Sequence, residues 1–274
     1  MSSERLEPVA RTEPVPNPVR VPRVVPILVF TAAACVAAWL VLSTFASADH
    51  EPRGDGQYYL AYMDGVHERG LSVIPSFFDQ WLADRSSWIF PPPSRVGFIV
   101  ISALWASLFG ASIVALQYLS MASLLASSVA NYFFARRHLG EPRALFVALL
   151  WLFSPLLLGI SRLALTDSFI ALCMSVTAWL FLELVEDPER WSRRILFMAA
   201  FGFTVLVKEL AVLLVVPFSA LVLIERFARR RPLSLATFAL AYVVPGLVTL
   251  PIYALAAGSV SKLLETTRIV LASP

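Results

Sequence analysis

Gly54-Asp55-Gly56-Gln57-Tyr58-Tyr59-Leu60 is the first place where the apolar character of this chain gives way to residues with chemistry. It follows Val24 to Ala48, an uncharged run of membrane-spanning length, and lies within the stretch Asp49 to Gly110. An acid between two glycines, followed by Tyr58, Tyr59 and Tyr62, begins a helix-like run. Residues three and four apart share a helix face, so Asp55, Tyr58 or Tyr59, and Tyr62 line one side. Downstream, apolar segments alternate with short charged turns. The expected fold is therefore an all-α polytopic membrane protein with about seven transmembrane helices. Its large first extracytoplasmic loop contains amphipathic helices lying against the membrane.

Composition agrees. Of 274 residues, 58% are hydrophobic and 15% charged, and mean hydropathy is +0.73. A soluble domain is closer to half apolar and a quarter charged. The net charge is +3, and the 22 basic residues cluster beside apolar segments, which marks topology and excludes a nucleic-acid surface. Cys35 and Cys173 both lie inside apolar runs, leaving no disulfide framework or zinc pattern. There is no internal repeat and no glycine-rich phosphate loop.

Met1 to Arg23 carries five prolines and four arginines and is expected to be a disordered cytoplasmic tail. Ala46-Ser47-Ala48 has the form of a signal-peptidase site. The preceding apolar run, however, is longer than the roughly 7–15 residues of a signal peptide, which favours an uncleaved helix over 24–48. From Asp49 to Arg95 there are seven acids against four arginines, so the positive-inside rule puts 49–110 outside. After Arg95 the next charge is Arg136. Taking 96–109 as interfacial or re-entrant puts Arg136/Arg137/Arg143, Arg190/Arg193/Arg194 and Arg226/Arg229/Arg230/Arg231 together in the cytoplasm. The crossings become 24–48, 111–135, 143–160, 168–185, 194–207, 210–225 and 233–257. The bundle then occupies 111–257, and 258–274 lies outside. One long helix through Lys208-Glu209 would bury two charges at mid-membrane, so two short helices meeting at an outer turn are expected.

The outer turns collect Asp55, the tyrosines, Arg95, Arg162, Thr166, Asp167, Lys208 and Glu209, with Asp49, Glu51 and Arg53 nearby. Ionisable groups at membrane depth are expensive and mark functional sites. A carboxylate can accept a proton from an acceptor hydroxyl, and cations can stabilise a departing phosphate. Each group also has a plainer use. Asp55 after Gly54, and Thr166-Asp167, suit helix caps; Arg162 and Lys208 suit snorkelling anchors; the tyrosines, Trp81 and Trp88 suit an aromatic belt. His50 and His67 lack a tight metal-ligand spacing. Spacing alone leaves these readings open.

Four segments, in order, resemble the GT-C membrane glycosyltransferases that use polyprenyl-phosphate sugars, such as protein O-mannosyltransferases and the lipid A aminoarabinose transferase. They are Gly54–Tyr59; Phe90-Pro91-Pro92-Pro93 with Leu108-Phe109-Gly110; Arg136 to Arg143 followed by Ser161-Arg162 and Thr166-Asp167; and Val207-Lys208-Glu209 with Pro217. The resemblance covers about residues 24–257. It implies Asp55 as catalytic base and Arg162, Asp167 and Lys208 near the donor phosphate and lipid. Tyr58, Tyr59, Tyr62, Glu209 and Arg95 would line the substrate. Many relatives have Glu directly after the first Asp, where this chain has Gly56, and Gly-Pro after the Lys, where it has Glu209.

The implied activity is inverting sugar transfer from a polyprenyl-phosphate donor, embedded in membrane lipid, to an acceptor hydroxyl at the outer face of a plasma (inner) membrane. The acceptor is a glycolipid, polysaccharide or protein. The donor is a substrate, no further cofactor or metal is assigned, and no nucleic acid is involved. Relatives continue with more helices, so acceptor recognition is expected to be missing, to reside in a partner subunit, or to lie on a longer parent chain. The alternatives are a non-catalytic scaffold or lipid-binding protein on the same module, and a transporter. A transporter would place its ionisable groups near the midplane.

Overall fold

The computed structural model describes residues 24–43 and 54–272. The expected tail and the loop residues Asp49, His50, Glu51 and Arg53 lie outside the described residues. The described chain is helical throughout. Its helices are α1 (Val24–Leu42), α2 (Asp55–Arg69), α3 (Ile74–Ala83), α4 (Val96–Phe109), α5 (Ile113–Leu139) and α6 (Glu141–Leu152). These are followed by α7 (Pro155–Ser161), α8 (Asp167–Glu186), α9 (Trp191–Val207), α10 (Val215–Leu223), α11 (Leu235–Ala257) and α12 (Val260–Ala272). A 3₁₀ turn, Glu209–Leu214, leads into α10, and a π turn, Ile224–Ala228, closes it.

Among the described residues, five helical segments are long and apolar enough to cross a membrane: Val25–Leu42, Ile113–Leu139, Asp167–Glu186, Glu209–Ala228 and Leu235–Ala257. The pair α6/α7 makes a sixth if its 53° bend is one broken span. Pro155 accounts for the bend, since it supplies no N–H and pushes Ser154 out of the helical region. The count falls short of seven because 194–207 belongs to α9, a 17-residue helix whose first turn contains Arg193 and Arg194. Its uncharged part, Ile195–Val207, is only about 20 Å long at 1.5 Å per residue. The helix does break at Lys208, where the backbone is extended (φ −154°, ψ 116°), so no single helix runs through Lys208-Glu209.

In the first loop, α3 is amphipathic, burying Ile74, Phe77, Phe78 and Trp81 at i, i+3, i+4 and i+7. The 14-residue α4 is apolar but shorter than a span, and it packs against α2, α9 and α5. Tyr59, Met63, Phe78, Phe98, Ile99 and Val207 form one core, so the loop helices are fused to the ends of α8 and α9. A second core, built on Phe181, Phe197, Phe201, Phe218 and Phe238, holds α8 to α11 together farther along the bundle. Residues after Gly258, expected only as a terminal segment, form α12, and Lys262 pairs with Asp79 of α3.

Candidate active site

Three close approaches bring the polar groups together. Gly97, in the first turn of α4, lies against the backbone at the end of α9; a Cβ there would sit 2.9 Å from Leu206 C and Val207 N. That contact sets Arg95 beside the Lys208-Glu209 turn. Gly56 abuts Ile113 and Ala164, where a Cβ would meet atoms at 3.4 and 3.5 Å, and this brings the start of α2 to the 162–167 turn. The third approach is made from α5. Gln117 donates to the carbonyl of Arg162 (3.0 Å), and the Ser120 hydroxyl to that of Leu165 (3.1 Å). Gln117 and Ser120 escaped notice in the sequence, although two polar residues three apart inside an apolar span are a legible signal.

Asp55 is the first residue of α2, and the N-cap is Gly54, at φ 64°, with no side-chain cap bond. The carboxylate makes no hydrogen bond or ion pair with the described residues and feels Arg95, Asp167 and Lys208 through space. Burial, reinforced by Asp167, raises its pKa above the usual carboxylate range against the opposing pull of Arg95 and Lys208. Asp167 is likewise first in α8. Its N-cap, Thr166, makes no side-chain cap bond, and Asp167 Oδ1 instead accepts from Lys208 Nζ at 2.9 Å. Both groups are partly exposed, so the pair is open to a ligand.

Arg95 connects the two sides of the site. Its guanidinium Nη1 donates to the Tyr59 hydroxyl and lies 3.5 Å from Thr166 Oγ1, and the guanidinium carbon is 5.8 Å from the Tyr59 ring centroid. Tyr59 OH and Thr166 Oγ1 are 3.2 Å apart. Burial pushes the Tyr59 hydroxyl up to about 12, against the lowering effect of Arg95, so it is a neutral donor. Burial works against the Arg95 charge, but Tyr59, Glu209 and Asp167 more than compensate and raise its pKa. Two buried atoms here lack partners, Arg95 Nε and Glu209 Oε2. Tyr253 of α11, also unnoticed in the sequence, interacts with Glu209 and donates to the carbonyl of Val205 at 2.5 Å.

The remaining candidates separate by role. Tyr62 is buried and donates to the Pro91 carbonyl (3.2 Å), pinning α2 to the proline segment. Tyr58 stacks on Phe90 with centroids 4.5 Å apart. Arg162 ends α7 with an exposed side chain, and no hydrogen bond or ion pair links that side chain to the cluster. The structure thus gathers Asp55, Tyr59, Arg95, Asp167, Lys208 and Glu209, and leaves Arg162 at the margin.

Among the described residues, the one group with ligand atoms close enough for a metal is His138, Glu183 and Glu186. It lies at the far ends of α5 and α8, roughly 24–29 Å along α8 from Asp167. Arg137 and Arg193 already pair with Glu183 at 2.7 and 3.3 Å, which makes that cluster an ion-pair network.

A sequence model of the dolichyl-phosphate-mannose-protein mannosyltransferase family matches residues 96–249, more than half of the chain. The match includes Asp167, Lys208 and Glu209 and begins after Asp55 and Arg95. No curated protein and no solved structure matches.

Proposed function

From the premise that the chain belongs to the dolichyl-phosphate-mannose-protein mannosyltransferase family, and is thus a polyprenyl-phosphate-dependent membrane glycosyltransferase, we propose that Asp55 is its general base. The reaction is a single displacement. Asp55 takes the proton of the acceptor hydroxyl as the oxygen forms a bond to the sugar's anomeric carbon. The bond from that carbon to the phosphate oxygen breaks, and polyprenyl phosphate leaves with the electron pair. Attack opposite the leaving group inverts the anomeric centre.

Lys208 and Arg95 supply the charge that the leaving phosphate needs. The Lys208 ammonium has three donor hydrogens and gives one to Asp167, so two remain for phosphate oxygens. Asp167 acts as a positioning residue, holding Lys208 on the site side of the extended break. Arg95 is oriented by Tyr59 and Thr166, and its unpartnered Nε suits a second phosphate contact. Arg162, exposed at the rim, interacts with the lipid phosphate only from the margin. The site lies at the outer face of a plasma membrane, with the N-terminus in the cytoplasm, as the arginine distribution indicates.

The observation that carries this reading is the Asp55 carboxylate, free of a side-chain cap bond and of an ion pair with the described residues, beside the Lys208–Asp167 pair and Arg95. A scaffold has no use for a carboxylate left without a partner among the described residues at that position. The test is sugar release from radiolabelled polyprenyl-phosphate mannose in proteoliposomes, comparing the full chain with Asp55→Asn. Asn keeps the shape but takes no proton near neutral pH, so transfer falls by about 10²–10⁴-fold with melting unchanged. A wild-type protein without release, or an active Asp55→Asn protein, overturns the assignment.

A further inference from the structure

At the end of the bundle remote from Asp55, the chain passes from the Glu209–Ala228 span into α11 through a basic turn. Residues 225–231 contain four arginines and one glutamate, a net charge of +4 − 1 = +3. Buried Glu225 takes Arg229 at 2.7 Å and Arg231 at 3.3 Å. Arg226 donates to the carbonyl of Leu233. Arg230, held at φ 53°, has no hydrogen bond or ion pair with the described residues. Arg226, Arg230, Arg231 and Ser234 line an open cavity of about 570 Å³.

Two facts say what this cavity takes. The helices on either side, Glu209–Ala228 and Leu235–Ala257, are both of membrane-crossing length and apolar, so their facing ends lie at one membrane surface. Lys208, at the other end of the first of them, is about 30 Å away, so the catalytic phosphate site is in the opposite leaflet. The second fact is the apolar skirt. Leu223, Ile224 and Leu235 are exposed and Phe227 is 67% exposed, all beside the arginines. A free anion needs the charges alone; charges above an exposed apolar strip suit an amphiphile.

We infer that this cavity binds the phosphate headgroup of an anionic phospholipid in the leaflet opposite the Asp55 site, with its acyl chains along Leu223, Ile224 and Phe227. Guanidinium groups pair with phosphate oxygens in a two-point geometry. The N-terminal end of α11, capped by Ser234, adds partial positive charge. The site is independent of the sugar-transfer chemistry and is occupied whether or not donor is bound.

The test is native mass spectrometry of the detergent-purified full chain, titrated with phosphatidylglycerol and separately with phosphatidylcholine. Phosphatidylglycerol is retained at concentrations where phosphatidylcholine is not. Arg230→Gln weakens phosphatidylglycerol binding about fivefold, the usual contribution of one basic residue at a charged membrane surface, and Arg230→Glu weakens it further. Arg230 has no partner among the described residues to lose, so both variants melt with the wild type. Arg143→Gln, which removes an exposed arginine in the first turn of α6, leaves binding unchanged. Equal retention of the two lipids, or equal effects of Arg230→Gln and Arg143→Gln, overturns the proposal. Displacement of phosphatidylglycerol by millimolar inorganic phosphate assigns the cavity to the free ion and overturns it as well.

Discussion

Replacing Gly97 with Ala should damage catalysis from a position that touches no substrate. The new Cβ would lie 2.9 Å from the backbone carbon of Leu206 and the nitrogen of Val207, whereas ordinary contact begins at 3.4 Å. The start of α4 must therefore move about 0.5 Å from the end of α9. Backbone atoms cannot rotate aside, so the movement falls on the helices that carry Arg95 and Lys208. Overpacking of this kind costs about 1–3 kcal/mol, and alanine recovers up to ~1 kcal/mol of that through its better helix propensity. The net loss of stability is about 0–2 kcal/mol. The catalytic loss is of similar size: a 1 Å misplacement costs about 10²-fold, so half that distance implies roughly tenfold, about 1.4 kcal/mol. The assay pairs thermal unfolding in detergent with turnover on polyprenyl-phosphate mannose, measured well below the melting temperature. Gly159→Ala in α7 is the control, since nothing lies within 4 Å of a Cβ there; it should retain full turnover. A Gly97→Ala protein with wild-type turnover would refute the idea that the α4–α9 approach aligns the site.

Other tests follow from the electrostatics and the topology. Burial raises the Asp55 pKa, so its ionised, proton-accepting form is lost on acidification sooner than for an exposed carboxylate; the acid limb of kcat/KM should lie above the usual carboxylate range. Lys208→Met removes a lowering influence and should shift that limb to higher pH, whereas Asp167→Asn removes a raising one and should shift it lower; unchanged profiles in both would place Asp55 away from the pair. Lys208→Met should also weaken donor binding by about 1.5–3 kcal/mol and Lys208→Arg by less; equal losses would show that charge is not what matters. With Cys35 and Cys173 replaced by Ala, Gln80→Cys and Val260→Cys should label from outside and Arg190→Cys only after permeabilisation. Labelling of Arg190→Cys from outside would reverse the orientation.

How much of the site was legible depended on whether a signal was local. Asp55 and Asp167 were each visible as an acid opening a helix after a break, and Lys208-Glu209 as charges interrupting an apolar run. What those residues do could not be read from spacing, because a capping carboxylate and a catalytic one look alike along the chain. The structure argues against capping for both: the start of α2 is capped by Gly54 without a side-chain bond, and Asp167 turns to Lys208 across 41 residues. The shared face drawn for the tyrosines resolved in the same way. Tyr58 and Tyr59 are offset by about 100° around a helix, and packing sent Tyr59 to Arg95 and Thr166 while Tyr58 went to Phe90.

The sequence by itself determined that this is a helical membrane protein, and it located most helices to within a few residues. Bilayer thickness and the cost of bare charge in hydrocarbon act on contiguous residues, so their record is written along the chain. It did not determine that 143–160 bends by 53° at Phe153–Pro155, or that 194–207 is the end of a helix beginning at Trp191. Only the tertiary structure decided which polar groups meet. Arg95 reaches Tyr59 and Thr166 because Gly97 lets one backbone touch another, while Arg162, in the same turn as Asp167, is exposed and makes no bond to the cluster. Such meetings depend on close packing between helices distant in sequence, and close packing has no period that a single chain displays.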